Sequence, residues 1–261
     1  DFTLLISILI LGVISIFAQY SSSGGSFDYF AKSHAIRFGI FFIFFILVSF
    51  FNIRIWNDYS ILIYSSLVIL LVLTKFFGVQ AQGSKRWLNL FVFNLQPSEL
   101  MKIGIILFLS NYYHRISTSD VNKLRYLLFP VVAITFPFLL VITQPDLGTA
   151  ILILFSGIII TWLSGVRWKI FAYFTGALII LAPIGVSFLK PYQKKRILTF
   201  LNPDADPLGA GYQIIQSKIA VGSGGLTGKG FLNGSQAYLN YLPEKHTDFI
   251  FTLFSEEFGF L

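Results

Sequence analysis

The stretch Thr3-Leu-Leu-Ile-Ser-Ile-Leu-Ile-Leu-Gly-Val-Ile-Ser-Ile-Phe-Ala18 runs for 16 residues without a charge. An element of a water-soluble core needs only about four to twelve apolar residues, so a run of this length points to a helix solvated by lipid. No small-residue A-x-A cleavage site follows it, and a retained transmembrane helix is expected rather than a secretory signal. Working outward from this first span (3–20), comparable stretches occur at 36–52, 60–78, 97–113, 126–143, 148–164 and 168–189, and an eighth starts near Phe249. A helix needs about 20 residues to cross ~30 Å of hydrocarbon. The expected fold is therefore all-α: a polytopic transmembrane helix bundle of seven spans plus the start of an eighth.

Composition agrees. Apolar residues make up 55% of the 261 positions and charged residues 12%, against roughly a quarter charged in ordinary soluble domains. There is no cysteine, which excludes disulfides and thiolate metal sites. The net charge of +7 reports loop lysines and arginines in a membrane protein, and nucleic acid is not expected as a partner. The chain begins at Asp1, its only methionine is Met101 and it stops inside an apolar run at Leu261, so a fragment truncated at both ends is expected.

Connections near 52–59, 114–125 and 164–168 alternate with those near 21–35, 79–96 and 143–147. The first set and its flanks hold Arg54, Arg115, Lys123, Arg125, Arg167 and Lys169; the second holds Lys32, Arg37, Lys85 and Arg86. Six against four puts the first set in the cytoplasm. The segment 190–248 then lies outside; at about 60 residues it has the length at which loop charge stops counting. Trp56, Trp87, Trp162 and Trp168 all fall at span ends, as an interfacial belt requires. The whole chain, 1–261, reads as one membrane domain with 190–248 as an ordered extracytoplasmic loop. Within that loop a basic stretch, Lys190 to Leu201, precedes a turn at Asn202-Pro-Asp-Ala-Asp-Pro207, and Tyr212 to Val221 has helical periodicity.

Ionisable groups near bilayer depth are functional candidates by default. Glu99 and Lys102 stand three apart after Pro97, on one helix face, where they can touch; a pair that merely holds the helix in place is the competing reading. Asp146, in Thr143-Gln-Pro-Asp-Leu-Gly-Thr149, suits either an N-cap for the sixth span or a substrate contact. Asp248 has the same ambiguity but stands beside Glu244, Lys245 and His246, and a carboxylate at an apolar boundary can serve as a general base. The loop cations, among them Lys190, Lys194, Lys195, Arg196, Lys218, Lys229 and Lys245, suit anionic lipid head groups or a pyrophosphate. The glycine-rich run Gly222 to Gly230 fits neither a P-loop nor a dinucleotide fingerprint, so no nucleotide is expected and a flexible loop is. His34, His114 and His246 are too scattered for a zinc site.

At these residues the sequence resembles the SEDS family (shape, elongation, division and sporulation proteins), its RodA-type branch more than its FtsW-type branch. The matching stretches are Gln82-Gly-Ser-Lys-Arg-Trp-Leu88, Gln96-Pro-Ser-Glu-Leu-Met-Lys102, Gln144-Pro-Asp-Leu-Gly-Thr149, Asp204 to Tyr212, Ile214 to Gly225 and Leu242-Pro-Glu-Lys-His-Thr-Asp-Phe-Ile-Phe251. They run in family order across nearly the whole chain and are together highly specific. The resemblance implies about ten transmembrane helices in a full chain, and a peptidoglycan glycosyltransferase of the bacterial cytoplasmic (inner) membrane that polymerises lipid II. It implies a class B penicillin-binding protein as partner.

It also implies roles. Asp248 matches the family's essential loop aspartate, Glu99 and Lys102 its functionally important intramembrane pair, and Arg86 its Arg-Trp-Leu element. Asp248, Glu99 and Lys102 are thus expected to be catalytic. Arg86, Asp146, Lys194, Arg196 and Lys218 are expected to bind substrate, helped at the pyrophosphate by a divalent cation, Mg or Mn, whose ligands the sequence does not name. A lipid II flippase and a non-catalytic scaffold for the penicillin-binding protein are the rival functions.

Overall fold

The computed structural model describes residues 1–81, 84–89, 94–187, 191–209, 211–235, 241 and 245–260, with side chains for all of these but 80, 81, 84, 177–179, 182–187, 192, 193 and 196. In chain order come α1 (Phe2–Ser22), α2 (Tyr29–Ser49), α3 (Ile53–Asp58) and α4 (Ser60–Phe77), then three short strands, β1 (Val79–Ala81), β2 (Ser84–Asn89) and β3 (Asn94–Leu95). They are followed by α5 (Pro97–His114), α6 (Leu124–Thr143), α7 (Leu147–Leu163), α8 (Trp168–Ser187), α9 (Pro191–Leu201), α10 (Tyr212–Gly224) and α11 (Ile250–Phe258). Helix starts fall where a side chain can satisfy free first-turn amides. Asp1, Asp28, Asn52 and Asp146 do so for α1, α2, α3 and α7, and Pro97 opens α5, where its missing N–H is no loss.

Each of the seven stretches read as apolar carries a helix. The second starts at Tyr29 rather than 36, because Asp28 caps it and the stems of Lys32 and Arg37 are apolar enough to lie along a helix flank. Among the described residues α1, α2, α4 and α6 are long and apolar enough to cross a membrane, and α7 is a shorter apolar helix. Their outer faces suit a lipid solvent: Leu11, Phe17, Phe41, Phe44, Leu62 and Ile69 are all more than half exposed.

The chain forms two compact units, Asp1–Phe50 with Ala182–Leu261, and Phe51–Leu181. In the second of these, α4, α5, α6 and α7 pack around Leu71, Met101, Ile105, Leu109, Val141 and Ile153, none of which has any exposed surface. Two glycines set the spacing. A Cβ on Gly104 would stand 2.5 Å from Leu67 Cδ1, and one on Gly157 2.5 Å from Ile134 Cγ1. Small residues at such crossings let helices approach where no hydrophobic force between lipid-solvated faces exists.

α6 contains Pro130 and Pro137. A proline has no N–H for the carbonyl four residues earlier, which leaves Tyr126 and Ala133 without their helical donors. Tyrosines of other helices take over: Tyr64 on α4 donates to the Ala133 carbonyl at 2.8 Å, and Tyr112 on α5 donates to the Tyr126 carbonyl at 3.0 Å. In hydrocarbon an unsatisfied carbonyl is expensive, and neighbouring helices are the usual remedy.

The two ends of this unit gather the connections that the alternation groups together. At one end Asn111 of α5 donates to the Asn57 carbonyl at 2.8 Å and to Ser60, and accepts from Arg115 Nε at 2.9 Å, while the Arg167 amide donates to Asn122 at 2.8 Å. At the other, Gln144, 3% exposed, donates to the Leu71 carbonyl at 2.9 Å. Here too lies a small antiparallel sheet, with Val79 opposite Trp87 and Leu88 opposite Leu95. The sequence reading assigned no strands to 79–96, since β1 and β3 are only three and two residues long and Ser84-Lys-Arg-Trp-Leu-Asn89 does not alternate apolar with polar residues.

In the other unit α1 packs on α2 and α11, and α10 packs on α11 with Ser217 Oγ 2.7 Å from Thr252 Oγ1. The periodicity of Tyr212 to Val221 thus becomes α10. The glycine-rich run is not the flexible loop expected from its composition. Its first glycines end α10, and the rest form a turn laid directly on the backbone of α11. A Cβ on Gly224 would meet the Ser255 carbonyl at 2.2 Å, and one on Gly228, whose φ is +73°, the Glu257 carbonyl at 2.1 Å. Lys229 and Gly230 donate their amides to the carbonyls of Glu256 and Glu257 at 3.0 and 2.9 Å. Those carbonyls belong to the last turn of α11, which has no donors of its own. Lys229 Nζ also reaches the fully buried Glu256 at 2.7 Å, with Ser235 Oγ 2.9 Å from the same oxygen.

Candidate functional site

In the unit Phe51–Leu181 the charged residues converge at the N-terminal end of α5. β2 carries Arg86, whose Nη1 lies 3.5 Å from Asp146 Oδ2. The same oxygen accepts from Gln96 Nε2 at 3.1 Å, and Oδ1 accepts from the Thr149 amide at 3.3 Å. Asp146 is 8% exposed. It therefore caps α7 and pairs with the guanidinium of Arg86. Arg86 Nε is buried without a hydrogen-bond partner among the described residues, which leaves a donor available beside the ion pair. Glu99 and Lys102 meet one turn further along α5 at 2.9 Å, with Glu99 the more exposed of the two. A pair this open is worth little to stability.

In the other unit Asp248 lies exposed in the turn 245–249 that leads into α11. Among the described residues no ion pair or hydrogen bond holds its carboxylate. Its neighbour His246 is anchored on three sides: Nδ1 lies 2.8 Å from Ser22 Oγ, the ring stacks on Phe30 at 4.4 Å and 7°, and its carbonyl accepts from Gln19 Nε2 at 2.6 Å. The turn is thereby tied to the end of α1 and the start of α2. Asp28 accepts from the amides of Phe30 and Ala31, both at 3.0 Å, and from Ser23 Oγ at 2.7 Å. Burial works to raise the Asp28 pKa, but the Ala31 amide, Ser23, the Phe30 amide and the charge on His246 together hold it below the usual carboxylate range. Burial pushes the Lys245 ammonium below its ordinary value, against an opposing pull from Asp28. Ser21 Oγ and the amides of Leu232 and Gly234 donate to Glu257, which is 2% exposed.

The structure thus joins Arg86 to Asp146 and Glu99 to Lys102. Lys194 on α9 and Lys218 on α10 are exposed, and Lys195 pairs with Asp206 at 3.3 Å. The side chain of Arg196, and all of Lys190, Glu244, Gln82 and Gly83, lie outside the described residues. Sequence reasoning missed Ser22, Asp28, Glu256 and Glu257. Only the last two carried a signal, a pair of acids in an otherwise apolar run. Among the described residues no three carboxylate or imidazole groups come together to hold a metal ion, so these residues do not fit a resident metal centre.

Apolar helices, proline carbonyls rescued across helices and a charged polar end in each unit define a multi-pass α-helical membrane protein. The chain belongs to the FtsW/RodA/SpoVE family of cell cycle proteins, whose model matches residues 1–261. Peptidoglycan glycosyltransferase MrdB of Escherichia coli K12 is 40% identical over 263 residues, covering 99% of this chain and 70% of MrdB. A chain from a solved peptidoglycan synthase complex superimposes with a TM-score of 0.77 at 24% identity, over 97% of this chain and 71% of that one. The rod shape determining protein RodA of Thermus thermophilus gives a TM-score of 0.65 at 21% identity, over 100% and 68%. The two solved structures speak for the fold.

Proposed function

We propose that this chain is a peptidoglycan glycosyltransferase that polymerises lipid II into glycan strands during cell elongation. It would act at the outer face of the bacterial cytoplasmic membrane, beside a class B penicillin-binding protein that crosslinks the product. The E. coli relative bears that activity in its name. The observation that carries the reading is the setting of Asp248: an exposed carboxylate with no partner among the described residues, in a turn anchored through His246 to two other helices. The excess of Lys and Arg at the opposite ends of the helices supports an extracytoplasmic position for it.

In this mechanism the 4-hydroxyl of an acceptor lipid II attacks the anomeric carbon of the donor chain. A C–O bond forms as the bond to undecaprenyl pyrophosphate breaks on the opposite face, so the centre inverts. Asp248 takes the hydroxyl proton. Arg86, Lys102 or the loop cations Lys194, Arg196 and Lys218 would stabilise the charge that develops on the pyrophosphate. Asp146 orients Arg86 and Glu99 orients Lys102. A divalent cation, Mg2+ or Mn2+, would supply further neutralisation of the charge on the leaving pyrophosphate.

The test is glycan synthesis from lipid II by purified full-length protein with its partner, comparing Asp248→Asn with the parent. Loss of polymer with the fold intact supports the base assignment, and normal rates reject it. Movement of intact lipid II without polymer would instead favour a flippase, and neither activity a scaffold.

A further inference from the structure

In the unit Phe51–Leu181 an apolar groove of about 140 Å3 lies between the first turns of α8 and the pair formed by α6 and α7. Leu127 and Val131 of α6, Leu154 and Ile158 of α7, and Ile170 and Phe174 of α8 line it. α6 and α7 pack closely where Ile134 meets Gly157, whereas α8 leans on the core at its start, through Ile170 and Phe171. The groove is what that unequal packing leaves. From Leu127 to Thr135 it follows α6 for eight residues, about 12 Å at 1.5 Å per residue. The hydroxyl of Thr161, also in its lining, donates to the Gly157 carbonyl at 2.8 Å, so that donor is already used within α7.

One end of the groove opens among cations. Val166, in its wall, is followed by Arg167 and, beyond Trp168, by Lys169, while Arg125 stands two residues before Leu127. The two basic segments adjoin, because the Arg167 amide donates to Asn122 at 2.8 Å. Arg125, Arg167 and Lys169 are exposed, and none has an ion-pair partner among the described residues; Arg125 lies over the Tyr126 ring at 5.8 Å. The neighbouring acid, Asp120, is taken by Lys123 at 2.6 Å. Trp162 and Trp168, each more than half exposed, stand at the same end, as tryptophans at the level of lipid head groups do. An apolar slot whose interfacial mouth is basic matches a molecule with an alkyl chain and an anionic head. A second apolar helix would fill the slot but leave the cations uncompensated. A soluble phosphate would satisfy the cations but leave the slot empty.

We propose that this groove is a binding site for an anionic phospholipid of the surrounding bilayer, with one acyl chain between α8 and the α6–α7 pair and the phosphate against Arg125, Arg167 and Lys169. Bulk lipid is as apolar as the wall, so seating the chain gains little by itself; the head group decides which lipid stays. Each cation near an anionic head group contributes a factor of about five in affinity. The chain fills the gap beside Phe174 and so holds α8 to its neighbours beyond its first turn. None of the residues proposed for catalysis takes part, and the site does not depend on which face of the membrane holds Asp248.

The experiment uses the full-length protein in nanodiscs of phosphatidylcholine, doped with phosphatidylglycerol or with phosphatidylcholine carrying the same photoreactive acyl chain. After irradiation, peptide mapping should find the phosphatidylglycerol label on groove residues of α6, α7 and α8, roughly tenfold or more above the phosphatidylcholine label. Combining Arg125→Gln, Arg167→Gln and Lys169→Gln on the exposed mouth should erase that difference and leave the weak neutral label. Ile158→Trp fills the slot and should remove the label of both lipids; should it misfold, the surface variant still decides. Excess glycerol 3-phosphate should not compete, and competition would assign the cations to a soluble phosphate instead. No groove label in the folded parent, equal labelling by the two lipids, labelling unchanged in a folded variant, or a protein segment crosslinked along the groove in place of lipid would overturn the proposal.

Discussion

Ser22 Oγ lies 2.8 Å from His246 Nδ1, joining the last turn of α1 to a turn 224 residues further along the chain. The contact fixes the backbone two residues before Asp248. A displacement of about 1 Å at a reacting group can lower a rate by about 100-fold. His246→Phe, which keeps a ring against Phe30 but removes the hydrogen bond, should therefore reduce polymerisation by roughly tenfold or more, with kcat falling and KM for lipid II nearly unchanged. His246→Asn places an amide close to the Nδ1 position and should recover part of the rate. Equal rates in all three proteins would show that the anchor does not govern Asp248.

Asp146 has two tasks that a pair of substitutions separates. Asn is nearly as good an N-cap as Asp, whereas Ala in that position costs about 0.5–2 kcal/mol. Asp146→Asn should unfold at nearly the parent temperature yet lose glycan synthesis, because Arg86 is left without its carboxylate. Asp146→Ala should lose both. If the Asn variant polymerises normally, the residue is a cap and nothing more.

Asp28 links stability to pH. Its pKa in the folded protein is lowered from 3.8, so the stability its charged form contributes is complete above pH 3.8 and is lost as pH falls through the lower folded value. Thermal unfolding of the parent and of Asp28→Asn should differ near neutrality, with the parent more stable, and the two curves should converge in acid. A gap that stays constant across the titration contradicts this.

The tyrosine–proline pairs predict a thermodynamic cycle. Tyr64→Phe and Tyr112→Phe should each destabilise by about 1 kcal/mol, within the range found for hydrogen bonds in membranes and in soluble proteins, and the two should add if the sites are independent. In a Pro137→Ala background residue 137 regains an amide for the Ala133 carbonyl, so Tyr64→Phe should become nearly neutral. Denaturant titration of the detergent-solubilised variants measures all of these.

The glycines of 222–230 should not behave alike. Gly222, inside α10, has open space where a Cβ would stand, and Gly222→Ala should stabilise by about 0.5–1 kcal/mol through helix propensity. Gly228 combines a φ of +73° with the Glu257 backbone at 2.1 Å, and Gly228→Ala should destabilise measurably in the same thermal assay.

Apolar run length made the helices legible, because a lipid-solvated helix must be continuous; Pro97 opens α5 where it was read, whereas the Asp28 cap starts α2 seven residues before the apolar run. Glu99 and Lys102 were legible as a pair because i,i+3 spacing fixes proximity within one helix. The contact of Arg86 with Asp146 was not, since it depends on β2 folding back toward the start of α7, and Ser84-Lys-Arg-Trp-Leu-Asn89 shows no apolar–polar alternation. The buried acids Glu256 and Glu257 looked like the end of an apolar run. Only the docking of the glycine turn and of α1 reveals what surrounds them. Composition misled at Gly222 to Gly230, because freedom of φ and tolerance of close backbone approach demand the same residue.

The order of the partners around α6 matters for how the protein is made. Tyr64 and Tyr112 precede both Pro130 and Pro137 in the chain, and synthesis proceeds from the N-terminus. When the proline-bearing segment leaves the ribosome, the hydroxyls that will cover its bare oxygens have already been translated with α4 and α5. Moving α6 ahead of them by circular permutation would ask it to enter the bilayer with two oxygens exposed to hydrocarbon, and insertion of that one segment should then become the slow step of biogenesis.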